Sequence, residues 1–246
     1  LFYEASTRTD LSFQAAMRRL GGEVVAASNG VRFSSIYKGE NLADTVRAVG
    51  CYADVIVLRH PDVGSSYEAA YYLDRLAEQI SRRPVIVSGG DGIGEHPSQA
   101  LLDCYTIRQH LGGVDGRHIA IIGDIKHGRV ARSDVEACTA LGAEVTLVAP
   151  PTLLPPSLEG WPVKVSHDLD AVLPTVDVAY LLRMQRERMT ESLVPSLREY
   201  TATFGLTNRR ADLLTDHALV MHPGPMNRGV EIAAEVADLP RSLILD

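Results

Sequence analysis

Seven short runs of β-branched and other apolar residues recur along the chain and constrain its fold more than any other feature. They show little alternation of polar and apolar residues, which is typical of strands buried on both faces of a parallel sheet. Amphipathic helical patterns lie between the runs, so the sequence predicts alternating strands and helices. The runs occupy residues 22–27, 54–59, 84–89, 118–124, 143–150, 177–183 and 218–223.

Two helical patterns indicate how the chain is divided. Apolar residues spaced by three and four predict an opening helix that Gly21 ends, and a longer helix over about 97–111 that Gly112 closes. Strand and helix alternation restarts after the longer helix. The 246 residues therefore predict an α/β fold of two doubly wound parallel-sheet domains in series, 1–112 and 113–246. The proline-rich residues 149–162 predict a loop with at most one short turn.

Composition and charge exclude several classes of function. The formal net charge is −7 and basic residues are not clustered, which disfavours nucleic acid as the main partner. Apolar stretches are far shorter than the roughly 20 residues that span a bilayer, and the opening residues lack the pattern of a signal peptide, so we expect a cytoplasmic protein. Cys51, Cys104 and Cys138 lack metal-ligand spacing and predict buried thiols.

The first polar segment that follows an apolar run is STRT, residues 6–9. Ser6 is a predicted N-cap of the opening helix, and the first free amide groups of that helix together with Arg8 would suit a phosphate group. The alternative is a plain helix start at which Arg8 pairs with Glu4 or Asp10. The phosphate-binding interpretation is favoured because a cation in the first helical turn opposes the helix dipole, which indicates that an anion is expected beside it.

Two further strand ends in the first half carry polar residues. Arg59 closes an apolar run, where a cation is costly unless it is paired or faces a ligand. His96 precedes a helix that Pro97 begins, and Gln99 lies three positions on, so the pair could bind one amide-like group. A satisfied helix-start histidine is the alternative. Residues 90–95 do not complete a dinucleotide-binding GxGxxG motif, because Glu95 takes its last position.

Cations recur at strand ends of the second half. Arg129 follows the run at 118–124, while Arg183 and Gln185 follow the run at 177–183, with Arg186 and Arg188 close behind. Guanidinium groups at neighbouring strand ends suit the bidentate binding of a dicarboxylate, although exposed surface charge is the alternative. The prolines around Gly224 indicate a tight turn in which a cis peptide bond is common.

These motifs, in this order and spacing, resemble the catalytic chains of aspartate carbamoyltransferases, and bacterial members in particular. The matching segments are STRT, SSIYKGENLADT, LRHP, HPSQALLD, GDIKHGR, RMQRER and HPGPMNRGVEI. The resemblance implies transfer of a carbamoyl group from carbamoyl phosphate to L-aspartate early in pyrimidine biosynthesis, without cofactor or metal, in the cleft between the domains. It also implies a homotrimer with shared active sites and possible regulatory or other pyrimidine-pathway subunits.

The resemblance implies a role for each matching residue. Carbamoyl phosphate would be bound by Ser6, Thr7, Arg8, Thr9, Arg59, His96, Gln99, Gly224 and Pro225. Catalysis would depend on Arg8, Thr9, Arg59 and His96, and aspartate would be bound by Arg129, Arg183 and Gln185. Ser34, Ser35 and Lys38 would reach the site of a neighbouring subunit.

Three points stay open from the sequence. The departing phosphate or His96 could take the proton of the amine. A noncatalytic phosphate-binding or scaffold homologue is an alternative function, and ornithine carbamoylation is a weaker one, because ornithine enzymes show an acidic segment where this chain has RMQRER. Both ends are expected to be shorter than in the family, lacking the opening helix and strand and the closing helix.

Overall fold

The computed structural model describes residues 1–27, 38–185 and 193–245. Ser34, Ser35, Arg186 and Arg188 therefore lie outside the described residues. The chain divides into two compact units, Leu1–Ser98 and Gln99–Asp246. None of the helices in the described ranges is long and apolar enough to cross a membrane.

The first unit is built around a short parallel sheet. Strand β1 (Val55–His60) pairs with β2 (Val85–Asp91) in parallel, and the opening residues lie along the other edge of β1, with Phe2 bridged to Arg59. The described part of this unit has three helices beside the sheet: α1 (Thr7–Arg19), α2 (Leu42–Gly50) and α3 (Ser65–Ala77). The core of this unit is small and contains Tyr3, Val46, Ile56, Leu58, Ala69, Leu73 and Leu76.

One predicted strand of the first unit is absent. Residues 22–27 are apolar but form neither helix nor strand, and Val25 is 88% exposed. The Gly22 amide still donates to the Met17 carbonyl at the end of α1, at 3.0 Å, and a long bond of 3.4 Å joins the Phe2 amide to the Ala27 carbonyl. The prediction of a strand there is wrong, because β-branched composition does not make a strand where the backbone does not pair with a neighbouring strand.

The helix predicted over about 97–111 is confirmed as α4 (Pro97–Leu111). It ends at Gly112, whose φ of +81° is a conformation that glycine adopts without steric cost. The division between the compact units falls inside α4, between Ser98 and Gln99. The domain boundary between residues 112 and 113 stays a prediction.

The second unit contains a five-stranded parallel sheet in the order β5-β4-β3-β6-β7. Its large core is formed by the sheet and by the buried faces of α4 and α5. The strands are β3 (His118–Ile122), β4 (Glu144–Val148), β5 (Val163–Ser166), β6 (Val178–Leu181) and β7 (Leu219–Met221), and the helices are α5 (Arg129–Ala140), α6 (Leu169–Val172), α7 (Leu197–Phe204), α8 (Asn208–Ala211) and α9 (Ala234–Ala237).

Two sequence expectations for this unit have different outcomes. The proline-rich loop is confirmed, since residues 149–162 contain one short 3-10 turn, Pro151–Leu153. Strand β5 was not predicted. It lies at the edge of the sheet and exposes Lys164 and Val165, so its sequence VKVS lacks the apolar character of a strand buried on both faces.

The strand order of the second unit changes direction between β3 and β6. The chain builds β4 and β5 on one side of β3 and then returns to add β6 and β7 on the other. In open parallel sheets, ligands bind beyond the carboxyl ends of the strands at this switch point. The segments that follow β3 and β6 are those that contain Arg129, Arg183 and Gln185.

Candidate active site

Arg59 is the centre of the polar cluster in the first unit. Its side chain is buried at the end of β1, and one guanidinium nitrogen, Nη1, donates to the Gly89 carbonyl at 3.0 Å. The same nitrogen lies 3.4 Å from Thr9 Oγ1 and 3.5 Å from His96 Nε2. Three strand ends predicted to carry polar residues thus meet at one buried cation.

Glu4 supplies the counter-charge of Arg59. Its Oε2 lies 3.2 Å from Arg59 Nε, and its side chain is 28% exposed. The sequence offered Glu4 as a partner of Arg8, so this contact with Arg59 was missed. The available signal was the position of Glu4 beside the strand that ends at Arg59, because the opening residues run parallel to β1.

The opening of α1 presents free donors. The amides of Thr7, Arg8 and Thr9 have no acceptor among the described residues, as expected for a first helical turn. Ser6 occupies the N-cap position, but its hydroxyl does not cap the helix and donates to Thr9 Oγ1 at 2.9 Å. The expected capping bond is therefore wrong. Arg8 is exposed, and it makes no ion pair with a described residue.

His96 is buried between Arg59 and Ser98. Its Nε2 faces Arg59, and its Nδ1 lies 3.3 Å from Ser98 Oγ, which is 3.4 Å from the Ser88 carbonyl. Each arrangement of these hydrogen bonds selects one tautomer of the neutral ring. With the proton on Nδ1, Nε2 is unprotonated and can accept from Arg59 Nη1. With the proton on Nε2, the ring is a donor that the guanidinium cannot accept, so this N–H would serve a ligand.

Gln99 is held by the buried Asp103, one turn further along α4. Gln99 Nε2 donates to Asp103 Oδ1 at 3.1 Å and lies 3.3 Å from Oδ2. Asp103 was not singled out in the sequence. Its signal was the i, i+4 spacing to Gln99, which places the two side chains on one face of a helix.

The switch point of the second sheet is fixed by Asp124. This fully buried residue accepts from the backbone N–H of Gln185 at 3.1 Å and from His127 Nδ1 at 2.8 Å. It therefore ties the segment after β6 to the loop after β3. Arg129, buried at the first position of α5, follows that loop, and the half-buried Arg183 follows β6. Asp124 was quoted within its motif but not given a role.

Gly123 allows the two segments to approach. Its φ is +123°, and a Cβ atom there would lie 2.8 Å from the Leu182 carbonyl oxygen and 2.9 Å from the Tyr200 hydroxyl. Both the conformation and the spacing require glycine. This residue is thus a local reason why the Asp124 loop can close on the segment that contains Arg183.

The turn at Gly224 and Pro225 contains the cis peptide bond that its prolines made plausible. His222 Nδ1 accepts from the Gly224 amide at 2.8 Å, so the proton of its neutral ring lies on Nε2, which donates to Glu231 Oε1 at 3.3 Å. Glu231 Oε1 also accepts from the Asn227 amide. His222 and Glu231, which the sequence did not single out, hold the backbone of this turn.

Lys38 is exposed in the structure. In the described ranges, no three His, Cys, Asp or Glu side chains are arranged to hold a metal ion. The candidate residues described above are mainly cationic and amide donors, which suit an anionic ligand.

Family models match both halves of the chain. Residues 1–109 match the carbamoyl-P binding domain of aspartate/ornithine carbamoyltransferase, and residues 115–246 match its Asp/Orn binding domain. Among curated relatives, the aspartate carbamoyltransferase catalytic subunit of Acidothermus cellulolyticus is 54% identical over 249 residues, covering 100% of this chain and 73% of the relative. That of Thermobifida fusca is 52% identical, covering 100% of this chain and 75% of the relative.

Solved structures agree with these matches. Aspartate transcarbamoylase from Trypanosoma cruzi in complex with carbamoyl phosphate has a TM-score of 0.86 and 38% identity, covering 99% of this chain and 77% of that chain. The same enzyme in complex with N-(phosphonacetyl)-L-aspartic acid has a TM-score of 0.85 and 38% identity, and the match covers 99% of this chain and 76% of that chain.

Proposed function

The chain belongs to the aspartate/ornithine carbamoyltransferase family, and we propose that it works as an aspartate carbamoyltransferase. It transfers the carbamoyl group of carbamoyl phosphate to the amino group of L-aspartate and releases N-carbamoyl-L-aspartate and phosphate. The observation that carries this function is the convergence of Thr9, His96 and Gly89 on the buried Arg59 guanidinium. Relatives with the same activity match the whole chain at about half identity.

The carbamoyl half of the reaction is assigned to the first unit. Negative charge develops on the carbonyl oxygen when the amine attacks the carbamoyl carbon, and Arg59, Thr9 and His96 supply donors that stabilise it. His96 has this role in its Nε2–H tautomer. In the other tautomer it is the rival proton acceptor to the departing phosphate, and the free amides of α1 together with Ser6 and Arg8 receive that phosphate.

The carbamoyl NH₂ needs acceptors, which the remaining motifs supply. The Gln99 carboxamide oxygen and the backbone carbonyls of Gly224 and Pro225 take this role. His222 and Glu231 support it by holding the turn at Gly224 through the contacts described above.

The aspartate half is assigned to the segments that follow β3 and β6. Arg129 and Arg183 bind the two carboxylates, and Gln185 contributes from a backbone held by Asp124. Guanidinium groups suit this task because their planar donors match carboxylate geometry. Ornithine carries an ammonium group in place of the second carboxylate, so these cations disfavour it.

The assay compares the two amino acids. Carbamoyl phosphate is incubated with the chain and either aspartate or ornithine, and both phosphate and the carbamoylated amino acid are measured. Phosphate and N-carbamoyl-L-aspartate appear with aspartate. Turnover with ornithine alone would contradict the choice of substrate. Tight binding of carbamoyl phosphate without turnover of either amino acid would favour a noncatalytic homologue or scaffold.

The finer parts of the proposal are a cytoplasmic location, a place early in pyrimidine biosynthesis and a homotrimer with shared sites. Lys38, together with Ser34 and Ser35, completes the pocket of a neighbouring subunit. Mixed trimers of inactive Arg8→Ala and Lys38→Ala chains test the sharing. A site is intact when Arg8 comes from one chain type and Lys38 from the other, so an equal mixture regains about one half times one half, or about a quarter, of the activity. No recovery in verified mixed trimers would contradict shared sites.

A further inference from the structure

We propose that Asp103 is a positioning residue that fixes the Gln99 carboxamide with its oxygen free to accept from the carbamoyl NH₂. This inference rests on the proposed function, because it deepens the role of Gln99 as a ligand of carbamoyl phosphate. Asp103 itself touches no substrate in this scheme. It acts only by deciding which end of the Gln99 amide the substrate meets.

The contacts of Gln99 with Asp103 fix the orientation of its carboxamide. Its Nε2 lies 3.1 and 3.3 Å from the two Asp103 oxygens. A carboxylate accepts hydrogen bonds and cannot donate them, so the amide nitrogen of Gln99 must face it and the amide oxygen must face away. The substrate NH₂ is a donor and requires that oxygen. Without Asp103 the carboxamide could rotate by half a turn and present its own NH₂, which repels the substrate NH₂.

Asp103 is itself held in place by burial and by a second hydrogen bond. It is 3% exposed, and its Oδ2 accepts from the Tyr180 hydroxyl at 2.7 Å. Tyr180 lies on β6 and is among the largest fully buried side chains of the described residues. The carboxylate of Asp103 therefore serves two donors, with one oxygen mainly for each. An amide at this position keeps only one acceptor oxygen, and its NH₂ group would face one of the two donors.

Asp134 on α5 is a second buried carboxyl group beside Asp103. Its carboxyl group is close enough to Asp103 for the two to interact, but neither oxygen makes a hydrogen bond of ordinary geometry with a described residue. Two buried carboxyl groups cannot both ionise side by side. Burial and the charge of Asp103 raise the pKa of Asp134 well above its usual range, and burial raises the pKa of Asp103 to about 7. At pH 8, where the binding assays are run, Asp134 therefore holds the proton and Asp103 is the ionised acceptor.

This division provides a matched pair of variants. Asp103→Asn and Asp134→Asn make the same change in two adjacent buried residues of the second unit. Asp103→Asn removes a carboxylate that accepts hydrogen bonds from Gln99 and Tyr180. Asp134→Asn replaces a protonated carboxyl group by an amide, and both of these are neutral donors of similar shape. Each variant is compared with wild type, with Gln99→Ala and with the double variant of Gln99 and Asp103, in the full chain.

The readout is the binding of carbamoyl phosphate and, separately, of inorganic phosphate, by calorimetry. Asp103→Asn weakens carbamoyl phosphate about tenfold, which corresponds to about 1.4 kcal/mol. It leaves inorganic phosphate within about twofold, because phosphate carries no NH₂. Gln99→Ala has the same effect, and the double variant is no weaker than either single variant, as expected for residues that act as a unit. Asp134→Asn stays within about twofold of wild type.

Three results would overturn the inference. These are equal losses of carbamoyl phosphate and inorganic phosphate affinity in Asp103→Asn, additive losses in the double variant, or the same loss in Asp134→Asn. If Asp103→Asn does not fold, Tyr180→Phe replaces it and weakens carbamoyl phosphate about threefold without affecting inorganic phosphate. An unchanged affinity there also contradicts the inference. The binding assay does not require turnover and therefore tests the role of Asp103 independently of the reaction. A wild-type chain that binds carbamoyl phosphate but does not carbamoylate aspartate would contradict the proposed function and not the role of Asp103.

Discussion

The first compact unit gathers its polar residues around one buried arginine beside a two-stranded sheet, whereas the second spreads them along the switch point of a five-stranded sheet. In the first unit, Thr9, Gly89 and His96 all depend on Arg59. In the second, Arg129 and Arg183 follow separate strands, and Asp124 ties their segments together through backbone and His127 contacts. We infer that substitutions in the first unit have combined effects, while those in the second are separable.

The largest expected effect is that of Arg59→Ala. Loss of the guanidinium removes a donor to the developing oxyanion and releases Thr9 and His96, so the turnover number falls by about 10² to 10³, or about 2.7–4 kcal/mol. Steady-state assays of N-carbamoyl-L-aspartate formation measure it, with circular dichroism as the control for folding. Arg59→Lys recovers little of the turnover number, because an ammonium group cannot reproduce the planar, forked arrangement of the guanidinium donors. A loss below tenfold in folded protein would show that Arg59 is not the centre of the site.

The next effect tests whether the second unit is separable. Arg129→Ala and Arg183→Ala each remove one guanidinium–carboxylate contact, and we expect the KM for aspartate to rise about 10- to 100-fold, or about 1.5–3 kcal/mol. The KM for carbamoyl phosphate stays within about twofold. Kinetics with each substrate varied in turn distinguish the two. An equal loss for both substrates would refute the division of labour between the units.

The two regions also differ in how far the sequence predicted them. Strand ends are local signals, so apolar runs followed by polar residues were sufficient to locate Arg59, His96, Arg129 and Arg183. The partners of these residues were missed because each lies far away in sequence or in an unremarkable position. Glu4 is 55 positions from Arg59, and Asp124 contacts Gln185 across 61 positions. Pairing of this kind follows from sheet order, which a single sequence does not state.

The missed and wrongly predicted strands have the same cause. Residues 22–27 are mostly apolar and only half-buried or exposed, while β5 is a real strand of mixed character at a sheet edge. Backbone pairing decided both cases and composition did not, because β5 pairs with β4 whereas residues 22–27 belong to no strand. Asp103 is a third example, since its importance arises from the depth at which α4 packs and from Tyr180.

A smaller effect concerns the pH dependence of the second unit. Burial raises the pKa of Asp103 to about 7, against a usual value of 3.8, so the folded unit binds more protons than the unfolded chain between these values. Stability therefore increases as the pH falls from 8 to 5.5, by about 2 kcal/mol. The groups that face Asp103 are Gln99, Tyr180, Asp134, Cys104 and Cys138.

Urea unfolding followed by the fluorescence of Trp161, the single tryptophan, reports this unit. Comparison with Asp103→Asn cancels the contribution of titrating groups that do not interact with Asp103, and the variant loses the extra stabilisation on acidification. A wild-type curve that runs parallel to that of the variant would contradict the raised pKa of Asp103.

The smallest effect has the opposite sign and belongs to the first unit. Burial lowers the pKa of His60 below its usual 6.5, against the opposing charges of Asp62, Glu68 and Asp91. Its ring packs on Tyr3 with centroids 4.7 Å apart, and its Nδ1 accepts from the Asp62 amide at 3.1 Å, which requires an unprotonated Nδ1. The unfolded chain therefore binds more protons near pH 6.5, and the first unit loses stability as the pH falls through that range.

Nuclear magnetic resonance titration of the His60 ring, assigned with His60→Gln, measures this pKa directly. Hydrogen exchange of the β1 amides at pH 5.5 and 7.5, corrected for the intrinsic chemical rate, shows weaker protection at the lower pH in wild type and a reduced difference in His60→Gln. The amides of β3 change in the reverse direction, because Asp103 stabilises its unit on acidification. If the protection of the β1 and β3 amides changed with pH in the same direction, the two units would unfold together. Their division into two compact units would then not be matched by independent stabilities.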